Sequence, residues 1–323
     1  MLIPYMADLE LPRRPYMTLA VCLLCLFVYS CQSQNEDDIW QAAIDSCEEG
    51  RTRMLEVVLK KITGEPDIEA CVQFMLALYE TNDKDALIDY AVTYSDGIVG
   101  LSAADSRAYT IDLINTQYRR FTRQAPPSLT RKLAYAPETW NPIAMITSDF
   151  AHGDWWHVIG NVIFFFAFAA TVEAIIGRVL FLGVLLGLSI MTGVMFSITQ
   201  LAIEQETISF GLSGIVMGMI ALYAFFLPSS YVRCYFLLLP FYKQISVPAW
   251  ILAGWFIGWN IFELFRAFGE TNINYVSHVT GAALGYLLGV VFFQRRKEDI
   301  QKLVRDRVTN RHRLRTRFHS DEW

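Results

Sequence analysis

Ser209-Phe210-Gly211-Leu212-Ser213-Gly214 opens directly into the apolar run 215–227, so a small, polar, glycine-flanked turn stands at the mouth of a predicted membrane helix. Glycines at 211 and 214 strip side-chain bulk from around Ser213 and let another backbone come close. A helix that starts there also leaves free N–H groups and the positive end of its dipole beside the hydroxyl. Such donors suit a developing oxyanion, provided that a base reaches Ser213 from elsewhere in the chain.

Composition bounds where that chemistry takes place. Of 323 residues, 54% are hydrophobic and 14% aromatic, and the mean hydropathy is +0.31; these values exceed ordinary globular usage and indicate a polytopic membrane protein. The net charge of −5 argues against a nucleic-acid partner. Six cysteines include no CxxC pair beside histidines, so neither a zinc site nor any other metal or cofactor is expected. Cys47 and Cys71 fall in a polar region and are able to pair in an oxidising compartment, which spacing alone does not decide.

Outward from Ser213, the chain divides into four parts. Residues 1–34 hold a first apolar segment at 16–29, preceded by Arg13 and Arg14. It reaches the roughly 20 residues of a span only if its flanks contribute. A signal peptide is the alternative, but bulky Tyr29 suits cleavage before Cys31 poorly, so an uncleaved first helix is expected. Residues 35–137 are acidic, with amphipathic stretches near 38–47, 51–62, 67–80, 83–93 and 103–122, and form a predicted small helical domain outside the membrane. Met54, Val57, Val58 and Ile62, and likewise Val72, Met75, Leu76 and Tyr79, recur at helical spacing and mark one buried face per helix. A protein partner for this domain is possible, although simple packing accounts for the same pattern. Residues 138–294 carry five further apolar blocks at 155–176, 179–199, 213–227, 247–268 and 277–293, with a semi-apolar connection around 237–241. Residues 295–323 form a basic tail, suited to anionic headgroups or to solvent.

The expected fold is therefore all-α, a six-helix membrane bundle with an inserted helical domain. Arg13 and Arg14, Arg178, Arg233 and Lys243, and Arg295 to Lys297 fall on alternate turns, which places them on the cytoplasmic side. Residues 35–137, the loops at 200–212 (with Glu204 and Glu206) and 269–276, and the start of the Ser213 helix then face outward from a plasma (inner) membrane. Arg119, Arg120, Arg123, Arg131 and Lys132 run against this assignment, but long translocated domains obey the charge rule weakly.

Three of the five histidines, His152, His157 and His278, lie near span ends on the outer side. Ionisable groups in spans are costly and suggest function. Gly281 and Gly285 flatten the helix that His278 opens, so that it can press on Gly214 and Gly218 and bring His278 level with Ser213 as a general base. His157 and Asn161, four apart, aim two donors in one direction. The bland reading is that Ser, His and Asn merely bridge membrane helices.

His157-x-x-x-Asn161, Gly211-Leu212-Ser213-Gly214 and His278-x-x-Gly281-x-x-x-Gly285, in this order, resemble the rhomboid intramembrane serine proteases over about 138–294 and the first helix. Phe150-Ala151-His152, Glu173 and Gly177 fit the same pattern. The chain departs from it at Trp140-Asn141, where the family has Trp-Arg, and in the long insertion before the second span. The resemblance implies Ser213 as nucleophile, His278 as general base with no third acid, and His157, Asn161 and the Ser213 N–H as oxyanion donors. Transmembrane proteins would be the substrates and the lipid bilayer the surroundings. Two rivals remain: a catalytically silent scaffold that binds transmembrane helices, and a transporter. An inverted repeat of the kind expected for a transporter is not evident.

Overall fold

The computed structural model describes residues 2–7, 14–50, 59, 67–81, 83–93, 101–203, 207–238, 241–266 and 274–306. The predicted helix at 51–62 (apart from Leu59), the turn at 64–66, Glu204 and Glu206, most of the loop at 269–276 and the end of the basic tail lie outside them. Two compact units emerge, one of residues 1–30 and 133–323, the other of residues 31–132.

The first helix, α1 (Tyr16–Glu49), contributes to both units, because no glycine or proline interrupts it until Gly50. Its apolar first half is the expected first span; its second half, read from sequence as a separate stretch near 38–47, continues the same helix. In the smaller unit, α2 (Asp67–Glu80), α3 (Lys84–Thr93) and α4 (Ala103–Gln124) follow. Their core joins Ile39 and Ala43 of α1 to Val72, Met75, Leu78, Ile88, Ala91, Ile114 and Phe121. Val72 and Met75 are thus buried, as their spacing predicts, whereas Leu76 and Tyr79 are partly buried against the same core. Cys47 and Cys71 form a disulfide across 24 positions, the outcome that spacing had left open.

A short helix, α5 (Leu129–Leu133), falls at the end of the smaller unit, and in the larger unit α6 (Pro142–Ser148) precedes three long apolar elements. These are α7 (Trp155–Ile176), α8 (Arg178–Ile203) and α11 (Tyr275–Phe292), which with α1 are, among the described residues, the helices long and apolar enough to cross a membrane. The expected six spans include two more helices, α9 (Ser213–Phe226) and α10 (Ala249–Arg266). Fourteen residues give α9 a length of about 21 Å, less than the roughly 30 Å of a hydrocarbon core. It is nonetheless the centre of the unit, because almost every residue from Gly214 to Phe226 is buried. It packs against α7, α8, α10 and, most closely, α11.

Glu173 anchors α1 to this bundle. Its buried carboxylate accepts hydrogen bonds from the backbone N–H groups of Met17 (3.0 Å) and Thr18 (2.7 Å) and from Thr18 Oγ1 (2.8 Å). A negative charge thus caps the free donors and positive dipole end of the helix. At the other end of the sequence a helix over 294–306, α12, returns to the bundle. Arg296 Nη1 donates to the Ile175 carbonyl at 2.9 Å and Gln301 Nε2 to the Phe226 carbonyl at 3.1 Å, satisfying the last turns of α7 and α9.

The all-α expectation needs one correction. Strands β1 (Leu2–Ala7), β2 (Tyr231–Leu238) and β3 (Phe241–Pro248) form an antiparallel sheet in the order β1-β2-β3. The connection read as a semi-apolar loop is its hairpin, with Tyr231 opposite Pro248 and Leu238 opposite Phe241. Alternation explains it: Val232 and Cys234 are fully buried, whereas Tyr231 and Arg233 on the opposite face are exposed, as a strand with one covered face requires.

Candidate active site

Asp154 caps α7 by accepting from the backbone N–H of His157 at 2.8 Å, which starts the helix so that His157 and Asn161 fall one turn apart on one face. The Gly153 N–H points at His157 Nδ1 from 3.4 Å. Nδ1 is therefore the acceptor, and Nε2 carries the proton. Asn161 is buried, and its Nδ2 has no hydrogen-bond partner among the described residues.

Both donors converge on Gly211. A methyl group there would lie 3.0 Å from His157 Nε2 and 3.8 Å from Asn161 Nδ2, and the residue has φ +112°, which glycine tolerates and other residues rarely adopt. Three contacts hold the turn around it: paired backbone bonds between Tyr135 and Ser209 (2.9 and 2.8 Å), Gly211 N–H to the Ser148 carbonyl (2.8 Å), and Asn274 Nδ2 to Ser209 Oγ (2.8 Å). Tyr135 is itself fixed by a short hydrogen bond to Ser197.

Ser213 begins α9, and the preceding cap residue, Leu212, offers no side-chain acceptor, so the first N–H groups stay open toward the hydroxyl. Asn274 caps α11 by accepting from the Ser277 N–H at 2.9 Å, which sets His278 in the first turn. His278 Nε2 stands 2.6 Å from Ser213 Oγ. Its other nitrogen, Nδ1, stands 2.6 Å from Asn260 Oδ1 on α10, and the Tyr275 ring lies edge-on at 5.9 Å.

Of the four residues singled out from sequence, Ser213 and His278 are therefore in contact, and His157 and Asn161 converge on Gly211 in the turn that leads into Ser213. His152 does not join them at Ser213. It is fully buried and packs edge-on against His157 at 5.0 Å, with Nδ1 3.2 Å from the Phe150 carbonyl. Burial, then the neighbouring His157, pulls its pKa down to about 4, so this ring is neutral at pH 7. Beside it, burial pushes the Asp149 carboxyl up to about 7, with a hydrogen bond to Ser189 opposing the rise. Asn260 was not singled out from sequence, although an amide inside the apolar run 247–268 is the kind of signal that marks a functional group. Among the described residues no three His, Cys, Asp or Glu side chains gather to ligate a metal ion.

This arrangement offers a hydroxyl, an imidazole in contact with it, and two side-chain nitrogens that converge on Gly211 in the same turn. Residues 138–295 match the family model for the Rhomboid domain. No curated protein and no solved structure matches the chain.

Proposed function

Because this chain belongs to the rhomboid family through residues 138–295, we propose that it is an active intramembrane serine endopeptidase rather than a silent scaffold. The contact of 2.6 Å between Ser213 Oγ and His278 Nε2 carries that reading. Ser213 Oγ attacks a scissile carbonyl carbon as His278 Nε2 takes its proton. The carbonyl oxygen becomes an oxyanion, which His157 Nε2–H, Asn161 Nδ2–H and the Ser213 backbone N–H receive. Collapse of this intermediate breaks the peptide C–N bond, and the imidazolium returns its proton to the leaving amine. Water, activated by the same imidazole, then hydrolyses the acyl-enzyme. The unpartnered Asn161 Nδ2 supports this in particular, since a buried amide donor costs free energy when nothing receives it.

Substrates in this reading are transmembrane proteins with segments that unwind at the depth of Ser213. The scissile bond lies in or next to such a transmembrane segment. The Cys47–Cys71 disulfide supports an oxidising outer compartment for the smaller unit. The alternation of positive charges supports six spans in the plasma (inner) membrane with the start of the Ser213 helix on the outer side.

The test is cleavage of a purified single-span substrate in proteoliposomes by wild type, Ser213→Ala and His278→Ala proteins. The expected result is cleavage by the wild type alone. Equal product from all three proteins, or none from any together with no labelling of Ser213 by a fluorophosphonate, would leave the scaffold reading standing.

A further inference from the structure

A histidine that serves as a base must present one particular nitrogen bare, and Ser213 contacts Nε2. What keeps the proton on Nδ1 is a separate question, which the family resemblance leaves unanswered because no third acid is expected. Asn260 answers it by elimination. Its Nδ2 lies 2.8 Å from the carbonyl oxygen of Phe256, one turn back along α10. A carbonyl oxygen only accepts, so the NH2 group must face it and Oδ1 must face the other way. Oδ1 in turn only accepts, and at 2.6 Å it requires a proton on His278 Nδ1. Nε2 is then left with a lone pair, directed at the Ser213 hydroxyl 2.6 Å away.

The hydrogen bonds thus run in one direction: Ser213 O–H to His278 Nε2, His278 Nδ1–H to Asn260 Oδ1, Asn260 Nδ2–H to Phe256 O. The last acceptor is the backbone of α10 itself, so the orientation of the amide does not depend on a mobile side chain. Inside an apolar span an amide flipped the other way would set Oδ1 against the Phe256 carbonyl oxygen, acceptor facing acceptor, and leave Oδ1 without a donor, which is costly. We propose that Asn260 is a positioning residue of the catalytic site, which acts through His278 by fixing the tautomer and ring plane that the general base needs. The proposal rests on the serine protease reading above. It adds that the site is a chain of three side chains drawn from α9, α11 and α10, not a pair.

Asn260 is neutral, which distinguishes this chain of contacts from one that ends in a carboxylate. When His278 takes the Ser213 proton, Asn260 accepts the Nδ1–H bond of the imidazolium but supplies no countercharge. Substitution by Asp would retain the acceptor and add a charge, and so stabilise the protonated ring. Substitution by Leu would keep the volume and remove the acceptor. Other titratable groups nearby stay constant in this comparison: His157 across the site on α7, Tyr275 on α11, and the Glu263–Arg266 pair on α10.

The experiment measures the second-order rate of fluorophosphonate labelling at Ser213 against pH, in detergent, for wild type, Asn260→Leu, Asn260→Asp, Ser213→Ala and His278→Ala. This readout needs no known substrate. Asn260→Leu is expected to label roughly ten- to a hundredfold more slowly, the range typical when a partner that orients a histidine is removed. Asn260→Asp is expected to retain labelling and to move the acidic limb of the profile to higher pH. A purely structural role would lower thermal stability without moving that limb. Wild-type rates and an unshifted limb in both variants would overturn the role of Asn260 while leaving the protease reading intact. An unreactive wild type, or labelling that persists in Ser213→Ala, would overturn the protease reading and this proposal together. Should Asn260→Leu not fold, the limb in Asn260→Asp alone decides.

Discussion

Gly281 of α11 packs directly on the carbonyl group of Gly214 of α9, with no side chain between the two backbones. One turn on, Gly285 meets Gly218 in the same way. These contacts draw the two helices close enough for side chains that open them, Ser213 and His278, to hydrogen-bond across a separation of 65 positions. An added methyl group at 281 would overlap the Gly214 carbonyl, and backbone does not yield as a flexible side chain does. Gly281→Ala is therefore expected to cost roughly 1 to 3 kcal/mol, the range for overpacking, and to move His278 away from Ser213. Thermal unfolding in detergent and fluorophosphonate labelling should both fall.

Gly211→Ala tests the donor side of the site without touching this helix pair. Its methyl group would stand 3.0 Å from His157 Nε2, in the space toward which both donors point, on a backbone with φ +112°. A rate loss of roughly 10²- to 10³-fold is expected, comparable to removal of one oxyanion donor. Asn161→Ala should lose as much, with Ser213 and His278 left in contact. Unchanged turnover by either variant would remove the oxyanion role from that group.

Glu173→Ala should destabilise the fold through α1. The substitution leaves the backbone N–H groups of Met17 and Thr18 and the Thr18 hydroxyl without their acceptor in a buried place. The expected cost is about 1 to 3 kcal/mol per buried donor left unpaired. Glu173→Gln keeps an acceptor oxygen and should recover part of that loss. Unfolding midpoints in a fixed detergent compare the three proteins.

Asp149 and His152 give stability a pH dependence of opposite signs. Asp149 has a folded pKa of about 7, above its ordinary value of 3.8. Its contribution is fully present below that ordinary value and is lost as pH rises through 7. His152, lowered from 6.5 to about 4, contributes above its ordinary value and loses that contribution as pH falls through 4. Asp149→Asn removes the first effect alone. It should raise the unfolding temperature more at pH 8 than at pH 5, since every tenfold change in an acidity constant on folding corresponds to about 1.4 kcal/mol. An equal change at both pH values would show that Asp149 is not the buried acid responsible.

Much of the site was legible because its residues are chemically out of place. His157, Asn161, Ser213 and His278 are polar groups at the starts of apolar runs, and the transfer cost of a polar group is a local property that follows from the sequence alone. The same holds for α7, α8 and α11, whose hydropathy and length identify them as candidate spans without reference to any neighbour. The glycine pairs that join α9 to α11 were also readable, since small residues four apart make a flat helix face wherever they occur.

The sheet, the continuation of α1 to Glu49, the Cys47–Cys71 bond and the contact between Asn260 and His278 were not. β2 looked like a loop because its alternation covers a few residues and has meaning only once β1 and β3 lie beside it. Asn260 is one amide among apolar residues, and only the fold of α10 brings it to His278. Sequence alone determined that this chain is built for a membrane and carries a serine, two histidines and an asparagine at helix starts, because those follow from hydropathy and periodicity along the chain. Only the tertiary structure decided that they meet, and which nitrogen of His278 faces Ser213, because both depend on backbone approach and hydrogen-bond direction between residues far apart in sequence.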